Sequence, residues 1–285
     1  MFGFLNVYKP KGKTSHDVVA ILRRVTKIKQ IGHTGTLDPF AEGVLPVCIG
    51  KATRLIEYLK DDKAYIGIVQ LGKSTTTYDI EGDGVKESDK TVTLEEIESA
   101  LDDFRGEIEQ LPPIYSAIKV QGKKLYEYAR KGEEVKIEPR RVTVNELKIL
   151  NYDEQKRCLE LYIACSKGTY IRSIANDLGE KLGAYGYLIK LVRVQAGDFR
   201  VDDSVKLDEL ETIEQVKKHL IYPSECLDYP KYELTDEECG AVSHGNPFKT
   251  AKKTESGIVI LVKDGQIYAV ANHNNGIIKC EKVFI

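Results

Sequence analysis

No apolar run among the 285 residues approaches the roughly 18 needed to cross a bilayer. The opening MFGFLNVYKP has too short an apolar part and no small-residue cleavage site, so it does not read as a secretory signal. A cytoplasmic protein is expected. Cys48, Cys158, Cys165, Cys226, Cys239 and Cys280 show no C-x-x-C spacing, and the five histidines are equally dispersed. Buried free thiols are expected, rather than a disulfide framework or a zinc site. Neither a metal nor a cofactor is expected. The chain also lacks both G-x-x-x-x-G-K-[ST] and G-x-G-x-x-G, the two phosphate-cradling patterns.

What is present is segregated charge. Residues 1–60 carry ten Lys/Arg against four Asp/Glu, and residues 61–110 carry five against fourteen. The balance turns positive again over 111–200, with seventeen against eleven. Two basic blocks around an acidic one can build a positive face for a polyanion or merely solvated helix faces, and charge leaves both open.

Along the chain, GFLNVYKP reads as a strand, and Thr14 with Asp17 forms a capping box for a helix. ATRLIEYLK looks helical, AYIGIVQLG is a strand, and DIEGDGVKESDK is a surface loop. Thr93 and Glu96 cap a helix that stops near Arg105-Gly106, and KKLYEYARKG is a short helix with Gly132 beyond its end. CLELYIACS is a strand leading into a helix that keeps Ile174, Leu178 and Leu182 on one side. Strands and helices mix without strict βαβ repetition, so the expected class is α+β. GIVILVKDGQIYAVANH is a hairpin turning at Asp264-Gly265. The division falls after Tyr222, giving 1–222 and a small β-rich domain at 223–285, which reads equally as an RNA-binding barrel or a stabilising cap.

The stretch GHTGTLDPFAEGVLPVCIGKATR places Asp38 before Pro39 with no second carboxylate beside it. An aspartate there commonly only shapes a turn. The glycines also suggest a nucleotidyltransferase-like loop. In SKGTYIRSIANDLG, Tyr170 and Arg172 stand at a strand-to-helix turn, where an arginine can pair with a carboxylate. Tyr65 and Leu191 read by default as packing residues.

Five segments taken in order change these odds: GFLNVYKPKGKTSHDVV, GHTGTLDPFAEGVLPVCIGKATR, DKAYIGIVQLGKSTTTYD, PPIYSAIKVQGKKLYEYARKG and CSKGTYIRSIANDLGEKLG. Together they resemble the TruB family of tRNA pseudouridine synthases over residues 1 to about 200. The tail resembles more loosely a PUA-type RNA-binding domain. The resemblance implies the pseudouridine synthase fold, a central mixed and mainly antiparallel sheet flanked by helices. It also implies isomerisation of uridine 55 in the tRNA T loop: the N1–C1′ bond breaks, the flipped base turns, and C5 is joined instead. By position, Asp38 matches the catalytic aspartate, taken as an ordinary carboxylate with a pKa of about 3.9. Tyr65 matches a tyrosine that stacks on the base and takes part in removing the C5 proton, and Arg172 the arginine paired with the aspartate. Tyr170 and Leu191 match the pocket lining, and His33 a histidine that packs into the opened loop. Lys9 matches a structural lysine. The segment Lys119–Lys148 corresponds to a mobile thumb, with Lys119, Lys123, Lys124, Arg130, Arg140 and Arg141 as candidate RNA contacts. Thr76 departs from the acid many relatives carry, while Asp79 is retained. The expected partner is the tRNA T-arm, bound by a monomer. A non-enzymatic RNA-binding protein would use the same basic face.

Overall fold

The computed structural model describes residues 1–250 and 255–285. Its centre is a ten-stranded mixed sheet. The path runs Val205–Lys206, Gly3–Lys9, Glu42–Ile49, Gly186–Ala196, Lys63–Leu71, Cys158–Cys165, Arg140–Asp153 and Gly106–Gln110, with Ile31–His33 and Phe199–Arg200 paired off it. Glu42–Ile49 pairs parallel with Gly186–Ala196, and Val205–Lys206 parallel with Gly3–Lys9. The other ladders are antiparallel. Alternation along Lys63–Leu71 turns Tyr65, Gly67, Val69 and Leu71 inward, the period-2 pattern of a strand with one covered face. The helices Leu94–Leu101 and Ile171–Lys181 supply Ile97, Leu101, Ile174 and Leu178 to the core over that face. The helix Ser15–Thr26 closes a second core with Val18, Val19 and Leu22 over Leu5, Val7, Leu45 and Val47.

Both threonine capping boxes form as expected, Thr14 with Asp17 and Thr93 with Glu96. Of three further local readings, two helical ones hold with a change of helix type and the acidic loop needs correction. The helix begun at Thr93 ends at Leu101 and gives way to a 3-10 turn, Asp102–Phe104. The segment Gly50–Tyr58 is a 3-10 helix, and Ile49, which precedes it, offers no side chain to cap the turn. The acidic loop contains a strand, Gly84–Glu87, paired with Lys73–Thr75, and Lys73 lies 3.7 Å from Glu87 across that ladder. All six cysteines are free; Cys48, Cys165 and Cys226 are buried and the other three half-buried.

A second sheet of five strands follows in the order Lys231–Glu233, Gly257–Lys263, Gln266–Asn274, Ile277–Val283 and Phe248–Lys249. Its hairpin turns at Asp264 (φ 50°) and Gly265 (φ 75°), the two positive φ angles that suit the right-handed strand twist. Residues 251–254 of the expected 223–285 unit lie outside the described residues. Tyr232, Leu234, Val242, Leu261 and Ala271 form this sheet's own core. Ile260, Val262, Ile267, Val270 and Phe284 instead join Phe4, Val44, Cys48 and Leu55 in a shared core, which seats the sheet against the first one.

Candidate active site

Asp38 lies in the loop between Ile31–His33 and Glu42–Ile49, and successive carbonyls of that loop each receive a donor. The Arg193 guanidinium donates to the Gly35 carbonyl at 3.0 Å and the Thr36 carbonyl at 3.4 Å. Ser15 Oγ donates to the Leu37 carbonyl at 3.2 Å and accepts the Leu37 N–H at 2.8 Å. The Asp38 carbonyl takes the Ala41 N–H at 3.2 Å, and the Pro39 carbonyl takes the Gly12 N–H at 2.8 Å. Lys9 is fully buried. Its Nζ donates to the carbonyls of Lys13 at 2.5 Å, Pro10 at 3.1 Å and Pro39 at 3.4 Å. Burial pulls the Lys9 ammonium down to about 8. The Thr34 N–H is spent on the Pro46 carbonyl, so with Leu37 also engaged the glycine-rich stretch is a clamped turn rather than a phosphate cradle.

The loop holds Asp38 at a cavity of about 260 Å³ whose walls include Leu37, Tyr65, Tyr170, Ile171 and Leu191, with Lys63 and Lys167 also in the lining. This falls just under the roughly 300–1,000 Å³ of ordinary ligand clefts, a size for one base. Gly67 sits opposite Leu191 in the ladder, and a Cβ there would come within 3.6 Å of Leu191 Cδ1. Tyr170 is the residue before the helix Ile171–Lys181, and the Gln110 amide clamps its backbone. Gln110 Oε1 accepts the Tyr170 N–H at 2.7 Å and Nε2 donates to its carbonyl at 3.0 Å. Arg172, two residues on, is 4% exposed. Its Nη1 donates to the Thr77 carbonyl and its Nη2 to the Tyr115 carbonyl, each at 3.0 Å. Toward Asp38, Nη2 donates to Oδ1 at 3.3 Å, while Nε lies 2.9 Å from Oδ2 without hydrogen-bond alignment.

The same guanidinium faces a second carboxylate. Asp79 Oδ2 is 3.4 Å from Arg172 Nη1, and Asp79 Oδ1 accepts from Thr77 Oγ1 at 2.5 Å and from the Glu81 N–H at 3.0 Å. Asp79 is buried outside the cavity lining; the Asp38 side chain keeps 35% exposure toward the opening. Asp38 is therefore solitary in the cavity but not in the charge network. Nor is its acidity ordinary. Enclosure by the surrounding walls pushes its pKa up, the Arg172 charge pulls it back, and Asp79 pushes it up again. The balance is upward.

The description "TruB family pseudouridylate synthase (N terminal domain)" matches residues 23–171, more than half of the chain, and "tRNA pseudouridylate synthase B C-terminal domain" matches 172–227. The chain belongs to the TruB family. Relatives named tRNA pseudouridine synthase B include one from Caldanaerobacter subterraneus, 44% identical over 268 residues, covering 93% of each chain. Another, from Carboxydothermus hydrogenoformans, is 43% identical and covers 100% of this chain and 99% of its own. Among solved structures, a Cbf5-Nop10-Gar1 complex is similar with TM-score 0.73 and 26% identity, covering 100% of this chain and 85% of that one. An H/ACA ribonucleoprotein bound to substrate RNA shares the fold with TM-score 0.74 at 23% identity, over the same shares.

For a TruB-family chain, the structure gathers Asp38, Arg172, Tyr65, Tyr170 and Leu191 at one cavity. His33 is outside the lining, one residue before Thr34, and burial pulls its imidazole pKa down. Lys119, Lys123, Arg130, Arg140 and Arg141 are exposed and Lys124 half-exposed, and none of them is in the cavity lining. Lys123 stacks over Tyr128, and both Lys124 and Arg130 stack over Tyr126. Sequence reasoning missed the roles of Ser15, Gln110, Asp79 and Arg193. A buried-register signal existed for Arg193, an arginine within the alternating strand YLIKLVRV.

Proposed function

We propose that this chain is the enzyme that converts uridine 55 of the tRNA T loop to pseudouridine, acting as a cytoplasmic monomer. One observation carries the reading: a single carboxylate, Asp38, is held by a fully clamped loop at the mouth of a base-sized recess walled by Tyr65, Tyr170 and Leu191. The target nucleotide leaves its stack at a cost of a few kcal/mol. Stacking on Tyr65 and Tyr170 at about 1–3 kcal/mol per base offsets most of that. Asp38 acts as the anion at the sugar–base junction, and Arg172 keeps it ionised and oriented against the upward push of burial. N1–C1′ breaks, C5–C1′ forms, the C5 proton leaves and N1 gains one, so the overall change is an isomerisation. Tyr65 assists removal of the C5 proton. His33 packs into the opened RNA loop. The segment Lys119–Lys148 closes over the RNA through Lys119, Lys123, Lys124, Arg130, Arg140 and Arg141, and residues 223–285 form a PUA-like domain that holds the tRNA further out.

Purified protein incubated with unmodified tRNA should yield pseudouridine at position 55 when the product is mapped by nucleotide-resolution chemistry. Absence of pseudouridine anywhere in that tRNA refutes the reading.

A further inference from the structure

Among the described residues, Arg193 is the largest side chain wholly removed from solvent, at 0% exposure. Among the described residues no carboxylate lies within ion-pair distance of it. A buried guanidinium without a counterion is costly unless its N–H groups are satisfied, and here backbone carbonyls do so. Nε donates to the Val44 carbonyl at 2.7 Å, in the strand that follows the Asp38 loop. The two Nη groups donate to Gly35 and Thr36, in the loop itself. One planar fork thus ties the start of the loop to the strand at its far end. On its other side Arg193 is the direct ladder partner of Tyr65, and its backbone pairs with Gly43. Gly43 has φ +105°, and a Cβ there would stand 2.3 Å from the Arg193 carbonyl oxygen, so the approach is possible only for glycine.

We propose that Arg193 is a positioning residue for the reaction, setting both the height of the loop that carries Asp38 and the orientation of Tyr65, so that carboxylate and phenol address the same flipped base. The inference rests on the pseudouridine-forming function proposed above. Burial pushes the Tyr65 phenol pKa up and the Arg193 charge pulls it back, as expected if the two side chains meet. Lysine at this position keeps the charge but gathers its donors on one compact nitrogen in place of three nitrogens spread over a rigid planar fork, so it separates charge from geometry.

The test uses the full-length protein and measures three quantities for Arg193→Lys, Tyr65→Phe and the double variant. These are single-turnover tritium release from C5-tritiated uridine in bound tRNA, tRNA affinity, and melting temperature. Wild-type protein runs first, since absence of turnover there refutes the function itself rather than the role of Arg193. Arg193→Lys should slow the single turnover at least tenfold with tRNA affinity within twofold. In the Tyr65→Phe background the same change should cost less than threefold, because the two residues act as a unit. A wild-type rate in Arg193→Lys, or an equal loss in both backgrounds, overturns the proposal. Failure of Arg193→Lys to fold, with charge kept, overturns it as well by assigning the residue to the core alone.

Discussion

Replacing Asp38 by asparagine keeps the shape of the side chain, removes its charge, and separates catalysis from stability. The two effects should have opposite signs. At 2.9 Å from Arg172 Nε, the carboxylate gains a gross attraction of about 6 kcal/mol at an effective dielectric of 20. Its pKa is nevertheless raised, so loss of hydration outweighs that attraction. A carboxyl raised on folding contributes full stability below its unfolded pKa of about 3.9, and that contribution is lost as pH rises through the folded value. The ionised group is therefore a burden on the fold at neutral pH. With 35% of the side chain still exposed, solvent screening holds the relief to about 1 kcal/mol or less. Removing one partner of a buried pair usually costs about 3–5 kcal/mol because the other charge is stranded. Arg172 is not stranded, since Asp79 remains 3.4 Å away and two carbonyls stay bonded. Asp38→Asn should melt at the same temperature as wild type near pH 4 and up to about 4 °C higher at pH 7, by calorimetry. Tritium release should fall at least ~10³-fold with tRNA binding retained, a loss of about 4 kcal/mol in transition-state stabilisation. A drop of several degrees at pH 7 refutes the claim that desolvation dominates, and measurable turnover removes Asp38 from the chemistry.

The raised acidity constant sets the acid limb of the single-turnover pH profile: activity should decline at a pH above the ordinary aspartate value of about 4, and a limb at or below it contradicts the enclosure of Asp38. Gly43→Ala should lose at least ~3 kcal/mol in urea melts, because its Cβ would lie 2.3 Å from the Arg193 carbonyl oxygen at φ +105°; a near-native midpoint would show that the two strands part easily. Tyr65→Phe should bind tRNA as wild type does and turn over about 10²–10⁴-fold more slowly, and an unchanged rate leaves the ring only a stacking role. Each exposed cation removed at Lys123 or Arg140 should lower the slope of log affinity against log salt by roughly 0.7–0.9; unchanged slopes take those residues out of the RNA contact.

The site was legible in the sequence where its residues lie in short runs with their own local logic. The Asp38-Pro39 turn, the Tyr170 and Arg172 spacing at a strand-to-helix junction, and both threonine capping boxes are local patterns a few residues long. What holds Asp38 is not local. Ser15 holds the neighbouring Leu37 across 22 residues and Arg172 reaches Asp38 across 134, while Arg193 grips Gly35 from 158 residues away. Asp79 meets the same guanidinium because its turn is tied across the fold, the Tyr78 carbonyl taking the Leu188 N–H. The acidity of Asp38 was misjudged for the same reason: desolvation depends on which walls close around a carboxyl, and no spacing rule encodes that.

The amino-acid order alone determined the family and singled out Asp38, Tyr65 and Tyr170, which line one cavity, because these are chemical identities set in recognisable motifs. Tertiary structure decided the rest. It made the glycine loop a clamped turn rather than a phosphate cradle, gave Arg172 two carboxylates instead of one, and placed an arginine bonded to three backbone carbonyls between the loop and Tyr65. Those outcomes follow from strand register and burial, which bring distant residues within hydrogen-bond reach and set the dielectric in which their charges act.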